Sequence, residues 1–101
     1  MQEYVVYRMD GRERLGEAGR VRLDDDKRLS LVRAAPDAAE ALRAAIEELN
    51  GKDGLVIKLP PEAGDPKFSL RKEMYMRADA RFFDALQDNL RRWHSLELAA
   101  P

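Results

Sequence analysis

The side chains able to do chemistry are few. One histidine, His94, closes a helix-like run, and Ser30, Ser69 and Ser95 bring it no nucleophile. The first two serines sit in strand-like runs and the third is its immediate neighbour. A nucleophile–base–acid triad needs three converging groups, and no spacing here marks one. Cysteine is absent, which excludes disulfides, thiol nucleophiles and thiolate metal sites. Asp24-Asp25-Asp26 would attract a hard cation, but a calcium loop alternates its ligands around a glycine bend and ends on a distant glutamate. The triplet therefore reads as a solvated hairpin tip. Gly11, Gly16 and Gly19 are not followed by Lys-Ser/Thr and a helix, so they read as turn glycines rather than a phosphate loop. No catalytic residue, metal ligand or cofactor is expected.

The arginines are more informative. Arg33 and Arg77 each fall about one turn before a helix-like run. A helix amino terminus favours anions, and a guanidinium beside it adds a bidentate fork. These two positions are the candidate anion- or nucleotide-binding residues of a regulatory module. The competing reading pairs Arg33 with Asp37 or Glu40, and Arg77 with Asp84. Arg20, Arg22 and Arg28 share the outward parity of a hairpin and are a candidate nucleic-acid face, near Tyr4 and Tyr7. Against that stands the charge balance: 18 basic and 19 acidic residues, a net charge of −1. Nucleic-acid binders usually carry a basic excess.

These residues must be positioned by a small α+β domain spanning 1–101. Glu3 to Met9 is β-branched and aromatic, a strand. Asp10-Gly11 is then expected as a type I′ turn, placing Arg8 opposite Glu13 and Val6 opposite Leu15. Gly16 and Gly19 shorten the return strand to 12–15. Residues 20–24 and 28–31 alternate strictly, which puts Leu23 opposite Leu29 and Val21 opposite Leu31 around an Asp25-Asp26-Lys27 loop. A helix over 36–50 follows from Pro36 and from the apolar positions Ala38, Leu42, Ala45, Ile46 and Leu49. Gly51 serves as its left-handed stop. Strands at 55–59 and 67–76 flank a proline-rich loop. Lys72 interrupts the apolar row Phe68, Leu70, Met74 and Met76 of the second. Asp79 suits an N-cap for a second helix over 79–96, with Phe82, Phe83, Leu86, Leu90 and Trp93 on its apolar side and a frayed tail to Pro101.

Arg33 to Leu49 also resembles Arg77 to Trp93 at a constant offset of 44 residues. The expected architecture is a mostly antiparallel sheet of five to six strands with two helices on one face, and a pseudo-twofold ββα repeat. Apolar runs are far shorter than a membrane span, and the opening Met1-Gln2-Glu3 is not a secretory signal. A cytoplasmic location is expected. Arginine exceeds lysine 13 to 5, a composition that suits a GC-rich bacterial genome. The first strand is apolar on both faces, and the last helix has a wide apolar arc. Excess apolar surface marks interfaces. Tyr4, Val6 and Trp93 are therefore the candidate contact surface of a non-catalytic interaction or accessory domain, as a homodimer or with a protein partner.

Overall fold

The computed structural model describes the backbone of residues 2–58, 67–69 and 79–101, and the side chains of 2–57 and 83–101. The elements are β1 (Gln2–Asp10), β2 (Glu13–Leu23), β3 (Leu29–Ala34), α1 (Ala39–Leu49), β4 (Val56–Lys58), β5 (Lys67–Ser69), α2 (Asp79–His94) and β6 (Leu96–Ala99). Four strands form one antiparallel sheet in the order β3-β2-β1-β6. β4 and β5 form a separate two-stranded antiparallel ladder, pairing Val56 with Ser69 and Lys58 with Lys67. The α+β class holds, with this division in place of one sheet of five to six strands. The strand counterpart of β3 in the 44-residue echo falls at 73–78, outside the described residues, as do Arg77, Lys72 and most of the 67–76 strand.

The β2–β3 hairpin has the expected register: Leu23 faces Leu29 and Val21 faces Leu31. Its three-residue loop closes with Asp24 N–H donating to Arg28 C=O at 2.9 Å and Lys27 N–H donating to Asp24 C=O at 2.9 Å. Lys27 takes φ 59°, the left-handed third position that such loops require.

The first hairpin departs from expectation. Asp10 stays in the strand opposite Glu13, leaving Gly11-Arg12 as the loop. Gly11 alone has positive φ, 61°, which is the type II′ pattern rather than I′. The register therefore slips, and Arg8 meets Gly16 while Val6 meets Gly19. The strand expected at 12–15 does not stop either. β2 runs unbroken past both glycines, because extra residues at Leu15 and Ala18 are absorbed as bulges against β1. A bulge bends a strand without ending its ladder. Gly19 is needed there for space: a Cβ would collide with the Arg33 carbonyl oxygen and lie 2.8 Å from Leu42 Cδ2.

The larger correction is at the carboxyl end. α2 stops at His94, Ser95 turns at φ 54°, and the segment read as a frayed tail pairs with β1 as β6. Leu96 and Leu98 alternate into the core, a two-residue period that the preceding helical stripe masks. β1 thereby becomes a central strand, and its two apolar faces are explained by burial.

One core lies on one face of the sheet. Val6, Val21, Leu23, Leu29, Leu96 and Leu98 meet Leu42, Ala45 and Leu49 of α1 and Leu86 and Leu90 of α2, with Leu55 and Ile57 joining from the β4 side. Both helices therefore cover the same face. α1 begins at Ala39 rather than 36, after a turn at 36–38, with no side-chain cap at Ala38. Its stop is Asn50 in extended conformation, whose N–H reaches Ile46 C=O at 2.9 Å. Gly51 is not left-handed. It is glycine because a Cβ would sit 2.6 Å from Val56 Cγ2.

Candidate functional site

Three features carry the chemistry of the described surface. The first is the sheet face away from the helices, where arginines alternate with glutamates across strands. Arg20 and Arg22 both reach Glu3, at 3.6 and 3.5 Å, and Arg33 reaches Glu17 at 3.0 Å. Cross-strand pairs of this kind neutralise the face locally. Arg28 does not join Arg20 and Arg22: its guanidinium donates to the Lys52 carbonyl oxygen. The three arginines proposed as a nucleic-acid surface are thus split, and two share one carboxylate.

Arg33 lies within β3, opposite Arg20. Neither Asp37 nor Glu40 is its partner. The position beside the start of α1 belongs instead to Arg8, whose Nη1 meets Asp37 Oδ2 at 2.5 Å. The structure therefore does not place Arg33 at a helix terminus, because the chain spends Ala35 to Ala38 on a turn before α1 begins.

The second feature is the pair of sheet edges. Hydrogen-bonded and non-hydrogen-bonded positions alternate along an antiparallel ladder. Met9 N–H bonds Ser95 C=O at 2.8 Å, so Leu98, three pairs further along, turns its N–H and C=O away from β1. Gln87 of α2 takes both: Leu98 N–H donates to Oε1 at 2.7 Å, and Nε2 donates to Leu98 C=O at 2.8 Å. At the opposite edge Leu29 turns its backbone away from β2 for the same reason. Asn50 takes both groups there, receiving Leu29 N–H at 2.9 Å and donating to Leu29 C=O at 2.8 Å. Each carboxamide acts as one residue of an added strand. In the sequence Asn50 stands at the end of a helix-like run and Gln87 off the apolar stripe of the next one, and neither position marks a strand partner. A carboxamide interrupting a helical pattern is too common a feature to reveal such a role.

The third feature is a depression of about 350 Å³ between the β1–β2 hairpin tip and the last turn of α2, lined by Met9, Gly11, Arg12, Arg91 and Glu97. Glu97 Oε1 accepts from Arg91 at 2.7 Å and Oε2 accepts from Arg14 at 3.4 Å. Arg14 also lies over the Tyr7 ring, 4.3 Å from its centroid. The Arg91 hydrogen bond holds the Glu97 carboxyl below the usual glutamate range; burial opposes this and Arg14 adds to the lowering.

The expected contact residues separate. Val6 is 1% exposed and lies in the core, so it has no surface to offer. Tyr4 faces the same way and packs on Phe83 with ring centroids 5.3 Å apart; burial pushes its hydroxyl pKa upward. Both residues lie on the face of β1 that the helix-side core covers, with Phe83 of α2 over Tyr4. Trp93 is 45% exposed, and the other large exposed apolar side chains among the described residues are Leu15 at 60% and Val32 at 43%. Leu15 and Val32 are each the extra residue of a bulge.

Among the described residues no group of three or more His, Asp and Glu side chains is arranged to hold a metal ion. No described helix is long and apolar enough to cross a membrane. His94 Nε2 lies 3.5 Å from Glu48 Oε2, linking α2 to α1. No family model, no curated protein and no solved structure matches this chain.

Proposed function

We propose that the protein is a non-catalytic association domain that works by pairing with a second copy or with a protein partner. The observation that carries the reading is the exposure of Leu15, Val32 and Trp93 on a domain whose other large apolar side chains, among the described residues, are largely covered. Bulges re-aim side chains, and two of these three residues are aimed outward by bulges. Trp in particular contributes large contact area at interfaces.

The test is native mass spectrometry with light scattering on the wild type, Trp93→Ala and Leu15→Asp. Amide spectra from the same samples check that each variant is folded. A dimer, or a stoichiometric complex with a purified partner, that weakens tenfold or more in a folded variant supports the reading. A wild type that stays monomeric to millimolar concentration, with variants indistinguishable in every association assay, rejects it.

A further inference from the structure

We propose that the depression between the β1–β2 hairpin tip and the end of α2 binds a small oxyanion group, a carboxylate or a phosphate. The proposal is independent of the association reading and moves anion recognition away from Arg33. The hairpin tip is held against α2 by the Met9–Ser95 backbone bond. That contact brings Arg12 on the loop and Arg91 on the helix to one concavity, with Met9 and Gly11 on its wall.

The two guanidiniums differ usefully. Arg91 is already oriented, because one Glu97 oxygen holds one of its Nη atoms. A guanidinium has five N–H donors, so this bond leaves the others for a ligand. Arg12 makes no ion pair or hydrogen bond with any described residue. Of the charged residues lining the depression, Arg12 and Arg91 are set against Glu97 alone, which leaves one net positive charge. Asp10 and Glu13 flank the tip as a strand pair but do not line it. Glu97 spreads its charge over two arginines, one per oxygen, so it serves as an internal counter-ion that positions Arg91. Guanidinium pairs of this kind recognise planar or tetrahedral oxyanions through charge-assisted, often bidentate hydrogen bonds, and a concavity of this size admits such a group with a small attached body.

The test is a titration of the full chain with sodium phosphate and, separately, sodium acetate. Ionic strength is held constant with sodium chloride, and backbone amide shifts are followed. Arg12→Gln is the decisive variant, since Arg12 lies on an exposed loop and removes no described contact. Arg43→Gln, on the exposed side of α1, makes the same charge change elsewhere. Saturable shifts at Gly11, Arg12 and Arg91, weakened about five- to tenfold in Arg12→Gln and unchanged in Arg43→Gln, are expected. Saturation by phosphate alone or by acetate alone assigns the ligand class. Shifts that drift linearly with every salt, or that respond equally to both variants, overturn the proposal.

Discussion

The two edges of the main sheet solve one problem with different exposure. An edge strand presents unpaired N–H and C=O groups that invite another strand. At both edges a carboxamide takes the two groups of one leucine, Leu29 through Asn50 and Leu98 through Gln87. Gln87 is buried beneath α2, whereas Asn50 is half-buried at the α1 exit. Water can replace a lost partner at Asn50 far more easily than at Gln87. The geometry is shared, and the environment decides how much each clamp is worth.

Replacing each carboxamide by leucine breaks the comparison most directly. Gln87→Leu leaves a buried donor and acceptor unsatisfied and is expected to destabilise by about 2–4 kcal/mol, against about 1–2 for Asn50→Leu. Urea melts measure the difference; equal losses would mean that burial does not set the value of the clamp. Hydrogen exchange gives a local reading. The Leu98 amide should lose protection in Gln87→Leu while that of Leu29 keeps it.

Next in size is Gly19→Ala, expected to cost about 1–3 kcal/mol. The added methyl collides with Arg33 and Leu42 and pushes the β3 edge off the core. It should expose the Leu29 side of the sheet to exchange before the Leu98 side.

The pH response sharpens the β6 edge. The Glu97 carboxyl is depressed in the folded state, so its contribution is complete above the ordinary glutamate range and is lost as pH falls through the lowered folded value. Glu97→Gln should therefore be less stable than wild type at neutral pH, and the gap should close on acidification. A gap that persists unchanged at acid pH would remove the ion pairs as its cause. The smallest effect is at the β3 hairpin, where Lys27→Gly relieves a left-handed non-glycine backbone and should stabilise by up to about 1 kcal/mol in thermal melts.

What was legible in the sequence was whatever local pattern decides. Strict alternation over 20–24 and 28–31 set the β2–β3 register, and three- and four-residue spacing set the buried stripe of α1. The start of α2 at Asp79 was equally local. The bulges at Leu15 and Ala18 were not legible, because an extra residue reverses parity without changing composition. Nor was β6, since four alternating residues directly after a helix continue its apolar stripe at Leu96. The covering of β1 was not legible either: an apolar strand pattern is the same whether a helix or a partner packs on it, and here Phe83 and the core take Tyr4 and Val6.

The sequence by itself determined the class of the fold, the two amphipathic helices and the most regular hairpin, because periodic burial is a property of neighbouring residues. Only the tertiary structure decided which strand became central, which carboxamides closed the edges, and which arginines met. Arg12 and Arg91 are distant in the chain. They converge because Met9 and Ser95 bond across a strand pair, and a contact of that separation leaves no mark on the residues between them.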